Sequence, residues 1–174
     1  MQCGICRVYW VEPMGIYYVR EIEEKDNRAV EAIIRFCLIE FGGNREGTAW
    51  TDPNLGIFSE VYREPGSKYF VACDEDGKTV AGVGIAPLPG KEGICELQKM
   101  YCLPQFRGTG IANALMDAAL SFAQTCYERC YLETLPNMTA AQRFYEKHGF
   151  VRIPEPLANT GHFACDVCYL RELN

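Results

Sequence analysis

Between residues 96 and 122 the chain reads ELQKMYCLPQFRGTGIANALMDAALSF, an alternating run that gives way to apolar residues at helical spacing. At the junction stand Arg107, Gly108, Thr109, Gly110, Ile111 and Ala112. The two glycines can take backbone angles other residues avoid, and they place no side chain between the backbone and a ligand. The first turn of the following helix has N–H groups without internal partners, and the helix dipole adds to their pull. These residue types in this order suit an anion, above all a phosphate.

Three phosphate-binding patterns compete for that junction. A P-loop needs G-x-x-x-x-G-K-[ST], and no lysine or hydroxyl stands in the required place. A dinucleotide fingerprint needs a third glycine where the chain has Asn113, although Glu128 or Glu133 lies at a fitting distance for its acidic partner. Its first strand should be a buried apolar run, whereas ELQKMYCL carries charged residues and follows an antiparallel meander. The third pattern rests on the elements around the loop.

Those elements can be read from periodicity. IYYVREI (16–22) alternates and is expected to be a strand, with Met14 opening the segment that leads into it. Asp26 can cap a helix whose apolar positions are Val30, Ile33, Ile34, Cys37, Leu38 and Phe41, and Gly42-Gly43 stops it. A second short helix is expected over 51–63, after Thr51-Asp52-Pro53. Residues 68–88 read as two strands joined by an Asp-Gly turn, and 93–103 as a third strand of the same meander. A helix at 109–125, a strand at 130–135 and a helix at 139–148 follow, the last stopped by Gly149. Strands at 150–154 and 163–173 close the chain around a turn region at ANTGH. The strand–helix–strand unit at 93–135 implies a parallel pair by right-handed crossover. The fold class is therefore α/β with a mixed α+β sheet, mostly antiparallel, with one central parallel pair and helices on both faces.

Whole-chain properties narrow the function. A chain of 174 residues suits one domain, read here as residues 14–174, with residues 1–13 an N-terminal extension of uncertain order. A net charge of −6 without a basic block argues against nucleic acid. No apolar run reaches the roughly 18 residues that span a bilayer, and the start lacks a signal-peptide core, so a cytoplasmic protein without a membrane partner is expected. Ten cysteines are scattered, many within apolar runs, where a reduced cysteine acts as a small hydrophobe. Cys3 with Cys6 and Cys165 with Cys168 have C-x-x-C spacing, but ACDVCYL reads as a strand without a knuckle turn, so no metal is expected.

On these residues the chain resembles a known family. Arg107-x-x-Gly110-x-Ala112, five residues after Cys102, resembles the R/Q-x-x-G-x-G/A cofactor loop of the GNAT superfamily of N-acetyltransferases. AAQRFYEKHGF (140–150) is similar to that superfamily's later A-x-x-x-Y-x-x-x-G-F segment, and the expected element order matches over about residues 15 to 173. The resemblance implies a GNAT-like acyl-CoA N-acyltransferase fold, acetyl-CoA as donor and a small-molecule or peptide amine as acceptor. It also implies that backbone amides from Gly108 through Thr109, Gly110, Ile111 and Ala112 to Asn113 cradle the pyrophosphate, with Arg107 at the mouth of the loop. Backbone groups of Met100, Tyr101 and Cys102 would pair with the pantetheine arm as an added strand does. A bulge in the strand before the loop would open a cleft for the thioester, whose carbonyl a backbone N–H near Tyr101 or Cys102 would polarise. Many members form dimers, which makes a homodimer the assembly to test for.

Acyl transfer to an amine needs a proton removed from the amine, donors for the carbonyl oxygen as it gains charge, and a proton for the departing thiolate. By resemblance Tyr145 holds the position often assigned as general acid, and it also serves if it only binds the thiol; an aromatic packing its helix onto the sheet is the competing reading. For the base, Glu96 is the better chemical choice, with Gln98 on the same face and Glu133 on the next strand as further candidates able to order a water. The competing reading makes Glu96 a solvent-facing residue paired with Lys99 or a neighbour. The superfamily often has a cofactor-binding asparagine seven residues before the tyrosine; here that place is Met138, so Asn137 either shifts to that task or caps the helix with Thr139. His148 reads as a helix-terminal histidine, and His162 as a turn residue or a part of the acceptor pocket. Trp50, Phe58 and Tyr62 with Asp52 and Glu46 form either an acidic, aromatic wall for a cationic amine or ordinary core aromatics beside surface charges. No motif marks Cys102 as a nucleophile, so direct attack in a ternary complex is expected. A non-catalytic acyl-CoA-binding module is the alternative on the same loop.

Overall fold

The computed structural model describes residues 7–11 and 15–173. Met14 and the Cys3–Cys6 pair lie outside the described residues. Eight strands form one sheet among the described residues: β1 (Arg7–Val11), β2 (Gly15–Glu21), β3 (Lys68–Cys73), β4 (Thr79–Pro87), β5 (Ile94–Cys102), β6 (Arg129–Thr134), β7 (Val151–Ile153) and β8 (Val167–Glu172). Their order is β1-β2-β3-β4-β5-β6-β8-β7. Every neighbouring pair is antiparallel except β5 and β6, which run parallel across the crossover helix as the sequence implies. β1 pairs with β2 from Arg7↔Val19 to Val11↔Gly15, a hairpin that the sequence pattern did not show.

Helix α1 (Asn27–Glu40) and the single-turn α2 (Phe58–Val61) cover one face, and α3 (Ile111–Cys126) and α4 (Thr139–Lys147) the other. On the α3 side Val83, Ile85, Leu97, Leu115, Met116 and Leu132 pack with Tyr145 and Phe150. On the α1 side Ile34, Leu38, Phe58, Tyr62, Tyr69 and Val71 form a second core. The α1 helix ends where expected, Gly42 taking a φ of 67°. The loop 74–78 closes the β3–β4 hairpin, with Gly77 at a φ of 77° and its N–H donating to the Asp74 carbonyl at 2.9 Å.

Three expectations need correction. The helix expected over 51–63 is a 3-10 turn at Ala49–Thr51 and the one-turn α2, because the intervening Pro53, Asn54 and Gly56 favour turns over a continuous ladder. The last strand begins at Val167, not 163, because residues 163–166 leave the sheet to pack over the segment before α2; the Ala164 N–H donates to the Gly47 carbonyl at 3.0 Å. Cys165 therefore stands in a loop and only Cys168 on the strand. Asp26 does not place a side-chain cap on α1. Its carboxylate, 3% exposed, accepts from the Glu23 N–H at 2.8 Å, from Thr79 Oγ1 at 2.8 Å and from Arg20 at 2.7 Å.

Two glycines of β4 shape the site. A Cβ on Gly82 would lie 2.6 Å from the Tyr69 ring, and one on Gly84 2.6 Å from the Tyr62 hydroxyl. With hydrogen there instead, both rings lie against the strand. The β4–β5 register slips at this place: Gly82 faces Tyr101 and Gly84 faces Gln98, so one residue of β4 spans two of β5, Lys99 and Met100. Lys99 takes a φ of 49°, the left-handed region that a lysine seldom enters. This is the bulge that the resemblance implied.

Candidate functional site

The parallel ladder between β5 and β6 is short. It pairs Ile94, Cys95 and Glu96 with Arg129, Cys130 and Tyr131 and then ends, while β5 runs on to Cys102 against β4 alone. A cavity of about 260 Å³ lies on the α3–α4 side of the strand beyond this split. Met100, Tyr101 and Cys102 line it from β5, Arg107 and Gly108 from the loop, Ala112 and Leu115 from α3. Met138, Ala140, Ala141, Phe144 and Tyr145 line it from α4 and its lead-in, and Cys37 and Phe41 from α1.

The glycine loop has the expected geometry. Gly108 and Gly110 have φ of 74° and 91°, and a Cβ on either would meet nothing within 4 Å. The first rung of α3 runs from the Ala114 N–H to the Gly110 carbonyl at 3.1 Å, so the amides of Ile111, Ala112 and Asn113 precede the ladder. The helix starts at Ile111 and not at 109, because Gly110 is left-handed and Thr109 Oγ1 donates to the Phe106 carbonyl at 2.6 Å to close the turn. Arg107 stands at the mouth, where its guanidinium holds both oxygens of Glu40 at 2.7 Å and its Nε donates to the Cys102 carbonyl at 3.0 Å.

Asn137 does not line the cavity. Its Nδ2 donates to the Phe41 carbonyl at 2.8 Å, and the N-cap of α4 is Met138 without a side-chain bond, so the reading of Asn137 as a helix cap is overturned. The mouth is tied at two points to the end of α1, through Arg107 and through Asn137. His148 ends α4 as expected, its Nδ1 2.8 Å from the Phe144 carbonyl.

Tyr145 is buried among Phe144, Phe150 and Tyr169. No described residue accepts a hydrogen bond from its hydroxyl, and the residue lines the cavity. Burial, with the nearby Cys165, pushes its phenol well above the ordinary value of 10.0. The proton therefore stays on oxygen at neutral pH. Burial likewise pushes the Cys102 thiol up to about 12, far from a nucleophilic thiolate.

On the α1 side of the split lies a polar network. Glu96 is 6% exposed, which overturns its reading as a solvent-facing residue, and its partner is Gln98, not Lys99. Gln98 Nε2 donates to Glu96 Oε2 at 2.6 Å, and the Tyr62 hydroxyl donates to Gln98 Oε1 at 2.8 Å. Burial raises the Glu96 carboxyl above its usual range; the charge of Glu133 works in the same direction, and the Gln98 bond and Lys99 oppose it. Glu133 accepts from Tyr131 on one oxygen and from Thr160 on the other, both at 2.6 Å.

Lys99, which the sequence reading gave no role beyond pairing, is turned by the bulge toward Asp52 at 2.7 Å, and His162 Nε2 lies 2.9 Å from the same carboxylate. Burial alone would raise Asp52, but His162 and Lys99 outweigh it and hold the carboxyl below its ordinary value. The acidic, aromatic wall is thus not formed. Phe58 and Tyr62 are core, 3% and 7% exposed, Trp50 lies under the Arg35 guanidinium, and Asp52 is met by Lys99 and by the His162 ring. Beyond the resemblance, the Gly82 and Gly84 pair in β4 is the sequence signal for the irregularity that re-aims Lys99. Among the described residues no helix is long and apolar enough to cross a membrane, and no group of three or more His, Cys, Asp or Glu side chains is placed to hold a metal.

Comparison with known proteins agrees with this geometry. The family model described as Acetyltransferase (GNAT) family matches residues 17–150. The chain is 43% identical over 158 residues to an uncharacterized N-acetyltransferase, YjgM, of Escherichia coli, covering 89% of this chain and 94% of that relative. A GNAT-family acetyltransferase structure from Staphylococcus aureus superimposes with a TM-score of 0.78 at 19% identity, over 91% of this chain and 99% of that one. A chimeric spermidine N-acetyltransferase involving Vibrio cholerae gives 0.65 at 18% identity, over 90% and 95%.

Proposed function

The chain belongs to the GNAT family of acetyltransferases, and from that premise we propose that it carries an acetyl group from acetyl-CoA to a primary amine by direct attack in a ternary complex. The observation that carries this reading is the split between β5 and β6, with Tyr145 and Glu96 set on its two sides. Acetyl-CoA supplies the activated acyl group. The fit of the residues to it rests on the open glycine cradle, the amides ahead of the first rung of α3, and the apolar cavity beside Met100, Tyr101 and Cys102.

Each residue has one task. The amides of residues 108–113 hold the diphosphate, and Arg107 adds its charge at the mouth. Glu96, directly or through a water, takes the proton from the acceptor ammonium, whose pKa of roughly 10.4 would otherwise leave it unreactive. The freed amine nitrogen forms a bond to the carbonyl carbon, and the carbon–sulfur bond breaks as the oxyanion collapses. The Tyr145 hydroxyl gives its proton to the departing sulfur, which leaves as the thiol, and the proton still carried by the newly acylated nitrogen passes through water to the tyrosine oxygen. Burial of Glu96 supports its role, since a base with a raised pKa drives proton removal better at neutral pH. The high pKa of Cys102 supports direct attack over an acyl-cysteine.

The test is release of coenzyme A from acetyl-CoA against a panel of amines, beside calorimetric titration with coenzyme A. Amine-dependent release with amide product is the expected result. Tight coenzyme A binding without release for any amine would favour a non-catalytic acyl-CoA-binding module.

A further inference from the structure

Two chemical poles share the acceptor side of the split. The first is Glu96, whose Oε2 accepts from Gln98 and whose Oε1 accepts from no described residue. The second is Lys99. Its side chain is 11% exposed, and of its three ammonium donors only one is satisfied by a described oxygen, that of Asp52 at 2.7 Å. His162 Nε2 converges on the same carboxylate and lies 3.5 Å from Lys99 Nζ, so one acid serves two basic groups. Glu133 is turned to Tyr131 and Thr160, each of which donates to one of its oxygens. Both poles stand on β5 three residues apart, Glu96 tied through Gln98 to Tyr62 and Lys99 to Asp52, at the two ends of the segment 52–62.

The backbone was bent to make this arrangement. A lysine at a φ of 49° is strained, and a regular β5 would have pointed residue 99 away from Asp52. Tyr69 holds the bent form through the Lys99 carbonyl, and the loop that carries His162 crosses from β7 to reach Asp52. A polycationic acceptor would meet Lys99 as a like charge in a poorly solvated cleft. A molecule that carries an anion beside its amine fills both deficits at once.

Building on the acetyltransferase reading, we propose that the acceptor is an aminocarboxylate, with its amine at Glu96 and its carboxylate held by Lys99 and His162. Selectivity then comes from the charge pair and not from an aromatic wall.

The experiment separates binding from turnover. The full chain saturated with coenzyme A is titrated with the common amino acids and with their carboxamides, and coenzyme A release is measured in parallel with both sets and with simple alkylamines. At least one free acid should bind roughly tenfold or more tighter than its amide, the loss expected when a charged hydrogen bond is removed. Lys99→Met and His162→Gln should each weaken that acid by roughly tenfold and leave the amide within about twofold. Lys99→Met leaves Asp52 short of a cation, so Lys99→Arg is the second variant and should keep the preference. Equal binding of acids and amides, no binding of any acid, or equal weakening of both by the variants overturns the proposal. Turnover of alkylamines with no preference for acids overturns it and leaves acetyl transfer standing. Selective acid binding with no release from any amine supports the carboxylate site and removes the catalytic reading instead.

Discussion

The hydroxyl of Tyr69 on β3 donates to the carbonyl of Lys99 on β5 at 2.9 Å, crossing under β4 to do so. That reach exists because Gly82 lets the Tyr69 ring lie against β4. The bulge of β5 is therefore braced from two strands away. Its consequence is the turn of Lys99 to Asp52.

Tyr69→Phe removes the brace and leaves the ring. A loss of about 1 kcal/mol in denaturant-measured stability is expected from one buried hydrogen bond. The fall in kcat/KM for the acceptor should exceed that for acetyl-CoA. An unchanged acceptor kcat/KM would show that the bulge keeps its shape without Tyr69.

Tyr145→Phe tests the leaving-group contact. Because no described residue accepts from the hydroxyl, the thermal midpoint should stay near that of the parent. Loss of a positioned donor should lower kcat by about 100-fold or more with little change in the KM for acetyl-CoA. A rise in that KM at constant kcat would assign the hydroxyl to binding alone.

Glu96→Gln should separate stability from activity. Its folded pKa is raised by burial, so the folded form binds the proton more tightly than the unfolded chain. The ionised carboxylate therefore costs stability as pH rises from the ordinary 4.5 through the folded value, and the full penalty remains above it. The variant should melt higher than the parent at neutral pH and show no gain below pH about 4. Its kcat/KM should drop by about 100-fold, and the acid limb of the parent profile, set above 4.5, should vanish.

Gly110→Ala probes the cradle. A φ of 91° strains any residue with a Cβ, by about 1–2 kcal/mol, although nothing lies within 4 Å to clash. Either the loop relaxes or a methyl group enters the proposed diphosphate site. The KM for acetyl-CoA should rise at least tenfold, roughly the effect of 1.4 kcal/mol, while the acceptor KM changes little. Calorimetry with coenzyme A checks it directly.

Much of this site was legible before the structure. The glycine pair, the apolar side of α3 and the A-x-x-x-Y-x-x-x-G-F segment are local signals, and each took the form they implied. The short helix before β3 misled because Thr51-Asp52-Pro53 reads as a helix start, whereas the chain there folds down onto Tyr69 in separate turns. Glu96 looked exposed because it alternates with Leu97, and alternation marks two faces without saying which is wet. Here both are covered, one by α3 and one by α1 and α2.

By itself the sequence determined the order of strands from β2 onward, the crossover that sets β5 parallel to β6, and the glycine turn that opens α3, since each rests on patterns along a continuous stretch of chain. The tertiary structure alone decided where charge stands in the cleft. Asp52 and His162 are 110 positions apart, and Thr160 reaches Glu133 from 27 positions away. No period records such pairs, because they form only when a bulged strand and a returning loop bring their ends into the same poorly solvated space, where an unpaired charge is too costly to leave alone.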